Sequence, residues 1–588
     1  MEGKLENVTK TLDGLYEFDR EPVAKNHLYR AMYFASSYAG EHTAATEFVI
    51  GALFVTWGAS IYDIIVGLLI GNLLAVLSWA LICAPIAVRT RLTLYWFIVK
   101  IGGVRLASFY NVFNALAYCS LAGTMITVAA SAVRIPFGIE KQILWYPTDF
   151  RFVILVLVVG VIATIISILG FKKFAQFSSV IAPWMLAMFV AGALMALPVL
   201  GKANGAGPIN SFSSFWEMAQ NMVWTGKSTS EENQLGFLHV TAFAWICNLG
   251  MHFGLSDMAV FRFAKKARYG LQTWTGMFLG HYLAWICAGI LGAGAALIAR
   301  TPLNEMDSGA VAYTILGLSG AIAVVFAGLT TAIPTLYKSG LGLQAVTPNW
   351  PRWAVTGVAG LITSIIACFP FVFARMLNFI ALYGLLLLPI GGVVFAEFWL
   401  FPKVGLTRYW VAHKKLSLNW PALLTWIITV ALALYMWKTG LLHQFFQFIP
   451  VWLLSITLYI LFSMVARAKV PGARDEDVVQ RPDDSASEDS ESPKAGMPSK
   501  LSPSVILTGV ISLAALLACI IMPLMVAVSD INNYSRVFDF VKDWLILPTV
   551  IYFVVGTYWR IQREKRNGES TKFNQNKNET SELSNHKQ

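Results

Sequence analysis

The stretch SSYAGEHTAAT, Ser36 to Thr46, sits inside an apolar run that extends from about Leu28 to Trp57. It places Gly40, Glu41 and His42 where a bilayer-crossing helix should be apolar throughout. A second stretch, NLGMHFGLSD, Asn248 to Asp257, interrupts another apolar run, with Gly250 and Gly254 flanking His252. In both, a His follows the first Gly by two residues. Backbone unwound in hydrocarbon exposes N–H and C=O groups that lipid cannot satisfy, so it is tolerated only where it faces a cavity, a solute or an ion. Paired Gly-containing interruptions at corresponding positions of two halves point to a chain built from inverted repeats. On this reading Gly40 breaks the first helix and its neighbours line a binding site.

The rest of the chain supplies the membrane. Of 588 residues, 56% are hydrophobic and only 13% charged, and apolar runs of roughly 20 residues, enough to cross a bilayer, recur too often for a soluble core. They predict an all-α polytopic membrane protein of about 14 spans, near 29–55, 60–88, 106–133, 152–171, 177–200, 237–257, 273–299, 309–337, 353–372, 377–401, 419–437, 445–466, 504–527 and 541–559. The first 28 residues are polar and lack the apolar centre of a cleavable signal, so span 1 is expected to direct insertion. Lys and Arg concentrate in the loops after the even-numbered spans, including the loop taken to begin at residue 338, and mark those loops as cytoplasmic. Both termini then face the cytoplasm, and a plasma (inner) membrane location is expected. The net charge of +11 follows from that asymmetry and calls for no nucleic-acid partner. The six cysteines fall inside spans, form no CxxC pair and imply no disulfide framework.

The expected organisation is a cytoplasmic N-terminal segment (1–28), a ten-span core (29–401) with repeats at about 29–200 and 237–401, two peripheral spans (402–466), a disordered acidic linker (467–503), two additional spans (504–559) and a disordered tail (560–588). The linker, with its acids, Ser and Pro, cannot bury enough apolar surface to fold.

Several stretches together resemble the nucleobase-cation symporter-1 family of purine, cytosine, hydantoin and allantoin permeases: IVGLLIGNLLAVLSWAL in span 2, LTTAIPTLYKSGLGLQAVTP around the end of span 8, and LPIGGVVFAEFWLFPK in span 10. The resemblance covers about residues 30–405. It implies a leucine-transporter-like five-plus-five inverted repeat with peripheral helices. It also implies a small-molecule substrate held at mid-membrane between spans 1, 3, 6 and 8, and a coupling ion, Na⁺ or H⁺, between spans 1 and 8. Carried over by position, the ion would meet backbone oxygens near Ser37 and Gly40, the carbonyl of Ala327 and the hydroxyls of Thr330 and Thr331. The chain departs from the family in span 3, where a Trp and a nearby Gln are usual and NALAYCSLAGT stands here.

Glu41 is the foremost candidate for chemistry, because intramembrane acids are costly and functional by default; it is the candidate proton-coupling group. Glu47, six residues on, would lie about 240° around a continuous helix and so face another helix as a structural partner. His42 and His252 are expected to face each other across the two breaks. Tyr38, Tyr118, Trp245 and Phe253 offer flat surfaces for a planar heterocycle, and Asn248, Ser120 and Thr335 offer oriented polar contacts. Asp257 with Arg262 or Lys265, and Glu397 with Lys403 or Arg408, are expected as gate salt bridges. No metal-ligand spacing and no cofactor motif appears. The function expected is cation-coupled import of a small planar nitrogenous solute. The alternatives are transport of an amino acid or vitamin on the same fold, and an intramembrane enzyme using Glu41 and His42 as acid-base groups, for which neither HExxH nor GxSxG is present. The solute, the choice between Na⁺ and H⁺, and the oligomeric state stay open at this point.

Overall fold

The computed structural model describes residues 12–205, 209, 211–228, 234–371, 376–479, 502–529, 533–563 and 565. Most of the acidic linker (480–501) and of the tail lie outside the described residues. Among them, ten helices are long and apolar enough to cross a membrane, from Asp63–Thr90 (span 2) to Pro503–Ala527 (span 13). Span 9 is a shorter apolar helix, Arg352–Ala367, and span 14 is helical over 546–563. Spans 1 and 6 are each broken into pieces: Ala31–Glu41 and Thr46–Thr56 for span 1, and Phe237–Ile246, Leu249–His252 and Met258–Phe261 for span 6. This is a multi-pass membrane protein of about fourteen spans.

Burial sorts the spans into layers. The most apolar window of span 3 is 78% buried whereas that of span 13 is 22% buried, so span 3 belongs to the centre and span 13 faces lipid. Span 3 (Leu94–Val133) packs along span 8 (Ser308–Gln344). Both helices carry the same device, a glycine at positive φ that bends a leading segment into the span: Gly103 at φ 74° and Gly317 at φ 58°. No β-carbon fits that conformation without strain. Spans 3 and 8 hold the third place in their respective repeats, so these glycines are a repeat-related pair that composition alone did not single out. Side-chain caps start the central helices: Thr93 accepts from the Trp96 amide at 3.1 Å, and Asp307 from the Ala310 amide at 2.8 Å. Asp307 also pairs with Arg134 at 2.6 Å, which ties the end of span 3 to the start of span 8.

Close approach of the helices depends on small residues, as expected where lipid removes the hydrophobic drive between them. Gly276 and Gly280 of span 7 abut the break of span 1: a β-carbon at Gly276 would lie 2.7 Å from the Tyr38 carbonyl, and one at Gly280 would overlap the His42 carbonyl. Gly40 is of this kind too. It lies inside the helix Ala31–Glu41, where a β-carbon would overlap Ser178 of span 5 (Phe171–Ala203). The expectation that Gly40 breaks span 1 is therefore corrected: the helix runs through it and ends at Glu41, and the break is His42–Ala45. In span 6 the break includes Leu255, a fully buried residue at φ 64°, a conformation that costs energy and persists only where the surroundings enforce it.

The N-terminal segment is packed across the loop side of the bundle. The Val23 amide donates to the Arg91 carbonyl at 3.1 Å, the Tyr29 amide to Phe263 at 2.9 Å, and the Glu17 carboxylate accepts from the Phe171 amide at 3.0 Å. Spans 13 and 14 lie on span 5, where the Tyr552 hydroxyl donates to the Val180 carbonyl at 2.6 Å and the rings of Trp184 and Phe553 stand 4.8 Å apart.

Gly391 of span 10 is expected to be intolerant, since a β-carbon there would run into the Phe253 carbonyl at the span 6 break. G391A should cost about 1–3 kcal/mol through overpacking, read as a lower melting temperature of the purified protein. G357A, where nothing lies within 4 Å, should melt with the parent.

Candidate functional site

Where span 1 unwinds, neighbouring spans bond its backbone. The Glu41 carbonyl accepts the Thr331 hydroxyl of span 8 at 2.8 Å, and within the preceding helix the Ala35 carbonyl accepts the Thr275 hydroxyl of span 7 at 2.7 Å. His42 Nδ1 lies 3.0 Å from the Tyr38 carbonyl, so this nitrogen carries the proton and donates it. The break is thus a structured element held by spans 7 and 8, as backbone at membrane depth requires.

At its inner end stands an ion cluster. Lys338 Nζ is 2.9 Å from Glu41 Oε1 and 2.7 Å from Asp257 Oδ1, and none of the three side chains is more than 2% exposed. The second Asp257 oxygen accepts the Trp79 indole N–H at 2.7 Å and the Tyr38 hydroxyl. One ammonium on span 8 therefore joins the two broken spans, with span 2 supplying the indole. Buried ion groups are stable only when paired and hydrogen-bonded in this way. With all three ionised the cluster sums to one negative charge.

A second polar cluster lies beyond the break. Glu47, on Thr46–Thr56, accepts the Trp285 indole N–H, and its Oε1 is 3.6 Å from His281 Nε2. The His281 ring stacks on Trp285 at 4.3 Å, and the His42 ring lies 5.1 Å from that of His281. Between the two clusters is a cavity of about 40 Å³ lined by Glu41, His42, Glu47, Asn248, His281 and Thr331, with Met125, Met251 and Tyr383 among its apolar walls. Its volume suits a water, not a heterocycle, so a solute enters only when the surrounding helices separate.

The structure brings several of the expected residues together and disperses others. Tyr38, Glu41, His42 and Asn248 meet at the clusters and cavity. The Tyr118 hydroxyl bonds Ser256 and accepts from Tyr383 at 3.2 Å, with its ring 6.0 Å from Lys338 Nζ. His252 and His42 both lie against Trp79, whose ring centre is 4.6 Å from that of His252 and 5.9 Å from that of His42. Trp245 and Phe253 turn away into a peripheral cluster with Phe448 (ring centres 4.9 Å from Trp245 and 6.0 Å from Phe253), and Trp245 bonds Ser78. Ser120 donates to its own helix at Leu116, and Thr335 to Thr331 at 2.6 Å. Of the oxygens expected at an ion, Ala327 accepts the Thr330 hydroxyl at 3.1 Å and the Thr331 hydroxyl at 3.3 Å, and the Ser37 hydroxyl is buried.

The expected gate salt bridges are corrected. Asp257 pairs with Lys338, while Arg262 donates to the Phe18 carbonyl and to the Tyr337 hydroxyl at 3.1 Å. Glu397 accepts the Tyr409 amide at 2.7 Å and the Tyr459 hydroxyl, and Arg408 pairs instead with Asp475 at 2.8 Å. Glu47 faces another helix as expected, partnered by Trp285 and His281 of span 7. The separation of about 240° from Glu41 is corrected: it assumes a continuous helix, and the break resets the phase, so Glu41 and Glu47 line one cavity. Lys338, Trp79, His281 and Tyr383 were missed. Lys338 was the legible one: an ammonium one residue past an apolar run is the same signal as Glu41, and the helix continues to Gln344.

No protein-family model matches the sequence, and no curated protein is similar to it. Solved structures are. Mhp1, a nucleobase-cation-symport-1 family transporter in a closed conformation with bromovinylhydantoin bound, is similar with a TM-score of 0.59 at 14% identity, over 79% of this chain and 100% of that one. Mhp1 in an inward-facing conformation gives 0.56 at 15% identity, over 80% and 98%. A Na⁺-coupled sialic acid symporter in a substrate-bound outward-open state gives 0.55 at 14%, over 77% and 95%. At such identities the likeness is one of fold: this chain has the leucine-transporter-like five-plus-five inverted repeat.

K338M is expected to lower stability by about 3–5 kcal/mol, because it strands buried carboxylates, measured as a drop in melting temperature. E41Q/K338M, which leaves only Asp257 charged, should recover part of the loss. A K338M protein that melts with the parent would show that the cluster does not hold the three spans.

Proposed function

We propose that this chain is a cation-coupled secondary transporter, a divergent relative of the nucleobase-cation symporters, that imports a small planar nitrogenous solute by alternating access. It would reside in the plasma membrane with both termini cytoplasmic. The observation that carries the reading is the Glu41–Lys338–Asp257 cluster at two matched helix breaks, beside a small cavity. Intramembrane charges of this kind mark solute and ion pathways, and a fixed site at the repeat interface is what alternating access needs. The fold and its bound neighbours support the same reading.

The donor set also fits the solute class. A lactam or amidine edge presents an N–H beside an acceptor. Glu41 would accept the N–H, and Asn248 or Thr331 would meet the acceptor. His42 and Tyr383 supply ring surface at the cavity wall. A few oriented polar groups on apolar walls are the usual composition of a small-molecule site. Because the present volume is smaller than such a solute, binding and opening are one event, and rocking of one helix group against the other would expose the cavity to each side in turn.

The test is thermal stabilisation of the purified protein by nucleobases, hydantoins, vitamins and amino acids, each with and without Na⁺. A solute present at a hundred times its dissociation constant stabilises the folded state by about 2.7 kcal/mol. A heterocycle is expected to raise the melting temperature, and E41Q to remove the rise. Stabilisation by amino acids alone, or by no compound, would overturn the solute class.

A further inference from the structure

The proposed function leaves the Glu47 cluster unexplained, and the inference drawn here rests on that function. Glu47 is 2% exposed, as is His281. The groups facing the carboxyl are His281 and Trp285 from span 7, Thr46 beside it, and, around the cavity, Cys247 from span 6, Tyr383 from span 10, Glu41 and His42. Spans 3 and 8 contribute only Leu121, Met125 and Thr331 to that cavity. Lys338 is engaged by Glu41 and Asp257.

With a neutral imidazole beside it, the Glu47 carboxylate has only the neutral donors Trp285 and Thr46 and no counter-charge, which a low-dielectric interior penalises by several kcal/mol. Adding one proton removes the penalty, since either a carboxylic acid with a neutral imidazole or a carboxylate with an imidazolium has no net charge. Burial of the pair thus favours one proton on it, and hydration when the helices separate relaxes the requirement. His281 and His42 both line the cavity, and His281 Nδ1 and His42 Nε2 are buried with no hydrogen-bond partner among the described residues. Imidazole nitrogens left open beside a carboxyl are a route for proton exchange.

We propose that Glu47 and His281 together hold one exchangeable proton and that this proton is the coupling ion. It binds from water when the cavity is open, making one O–H or N–H bond on the pair, stays while the cavity is closed, and returns to water on the other side.

Two measurements test this. The first needs no solute: pH-dependent infrared difference spectra of the full-length protein in liposomes. The parent is expected to show a carboxylic-acid C=O band that disappears on raising pH, E47Q to lose that band, and H281N to shift its midpoint. E397Q, which removes another buried carboxyl, should leave the Glu47 component in place. A spectrum unchanged in E47Q, with an unchanged midpoint in H281N, would overturn the proposal, as would loss of the band on adding Na⁺ at fixed pH. The second loads the vesicles with a pH dye and adds a mixture of uracil, hypoxanthine and hydantoin in choline medium. The parent should acidify the lumen and E47Q should lose the acidification. Stabilisation by the mixture with no acidification unless Na⁺ is present would sink proton coupling. If the mixture neither stabilises nor acidifies, the solute class fails, and the infrared arm still decides whether the pair holds its proton.

Discussion

The Lys338 ammonium is the constraint on which the rest of the centre depends. Its contacts of 2.9 and 2.7 Å to Glu41 and Asp257 can form only if spans 1, 6 and 8 converge at one point. Lipid gives helices no hydrophobic reason to do so. Convergence instead requires small residues where backbones meet, which is where Gly40, Gly276 and Gly280 stand. It also requires each charge to be fully partnered, which is why Asp257 takes an indole and a phenol in addition to the ammonium. The helix breaks follow from the same demand. An unbroken span 1 would carry Glu41 and Glu47 on different faces, whereas the break lets both reach one cavity.

The architecture was legible because hydrophobicity is a local property. Apolar runs, loop charges and two interrupted spans can be read one segment at a time, and they were enough for the inverted-repeat fold. Glu41, His42 and Asn248 were legible for the same reason, as polar residues in apolar company. What escaped was pairwise. By its apolar run span 8 ends at Tyr337, which puts Lys338 among the loop charges, although it is fully buried. His281 lies in span 7, away from both interruptions, and only the packing of span 7 on Thr46–Thr56 gives it Glu47 for a neighbour. The partners assigned to Asp257 and Glu397 were chosen by nearness in sequence, yet Lys338 is 81 residues from Asp257 and Tyr459 is 62 from Glu397. Gly40 was noticed for the wrong reason, since a glycine that permits close packing and one that ends a helix look the same in one dimension.

The N-terminal segment supplies the last step. Its composition is polar, yet residues 12–29 bond to loops of both repeats: Arg91 after span 2, Phe263 after span 6, and Arg352, whose guanidinium donates to Leu15 at 3.0 Å. A strap attached to both repeats resists any motion that separates them on that side. On the proposed function, opening toward the cytoplasm therefore requires these backbone bonds to yield together with the Arg262 contact to Phe18. Arg262 follows Asp257 by five residues, so it couples the strap to the same stretch of span 6 that Lys338 holds. The charge cluster at the break and the seal at the loop side thus act on the two ends of one short helix, Met258–Phe261, and a solute that disturbs the first bears mechanically on the second.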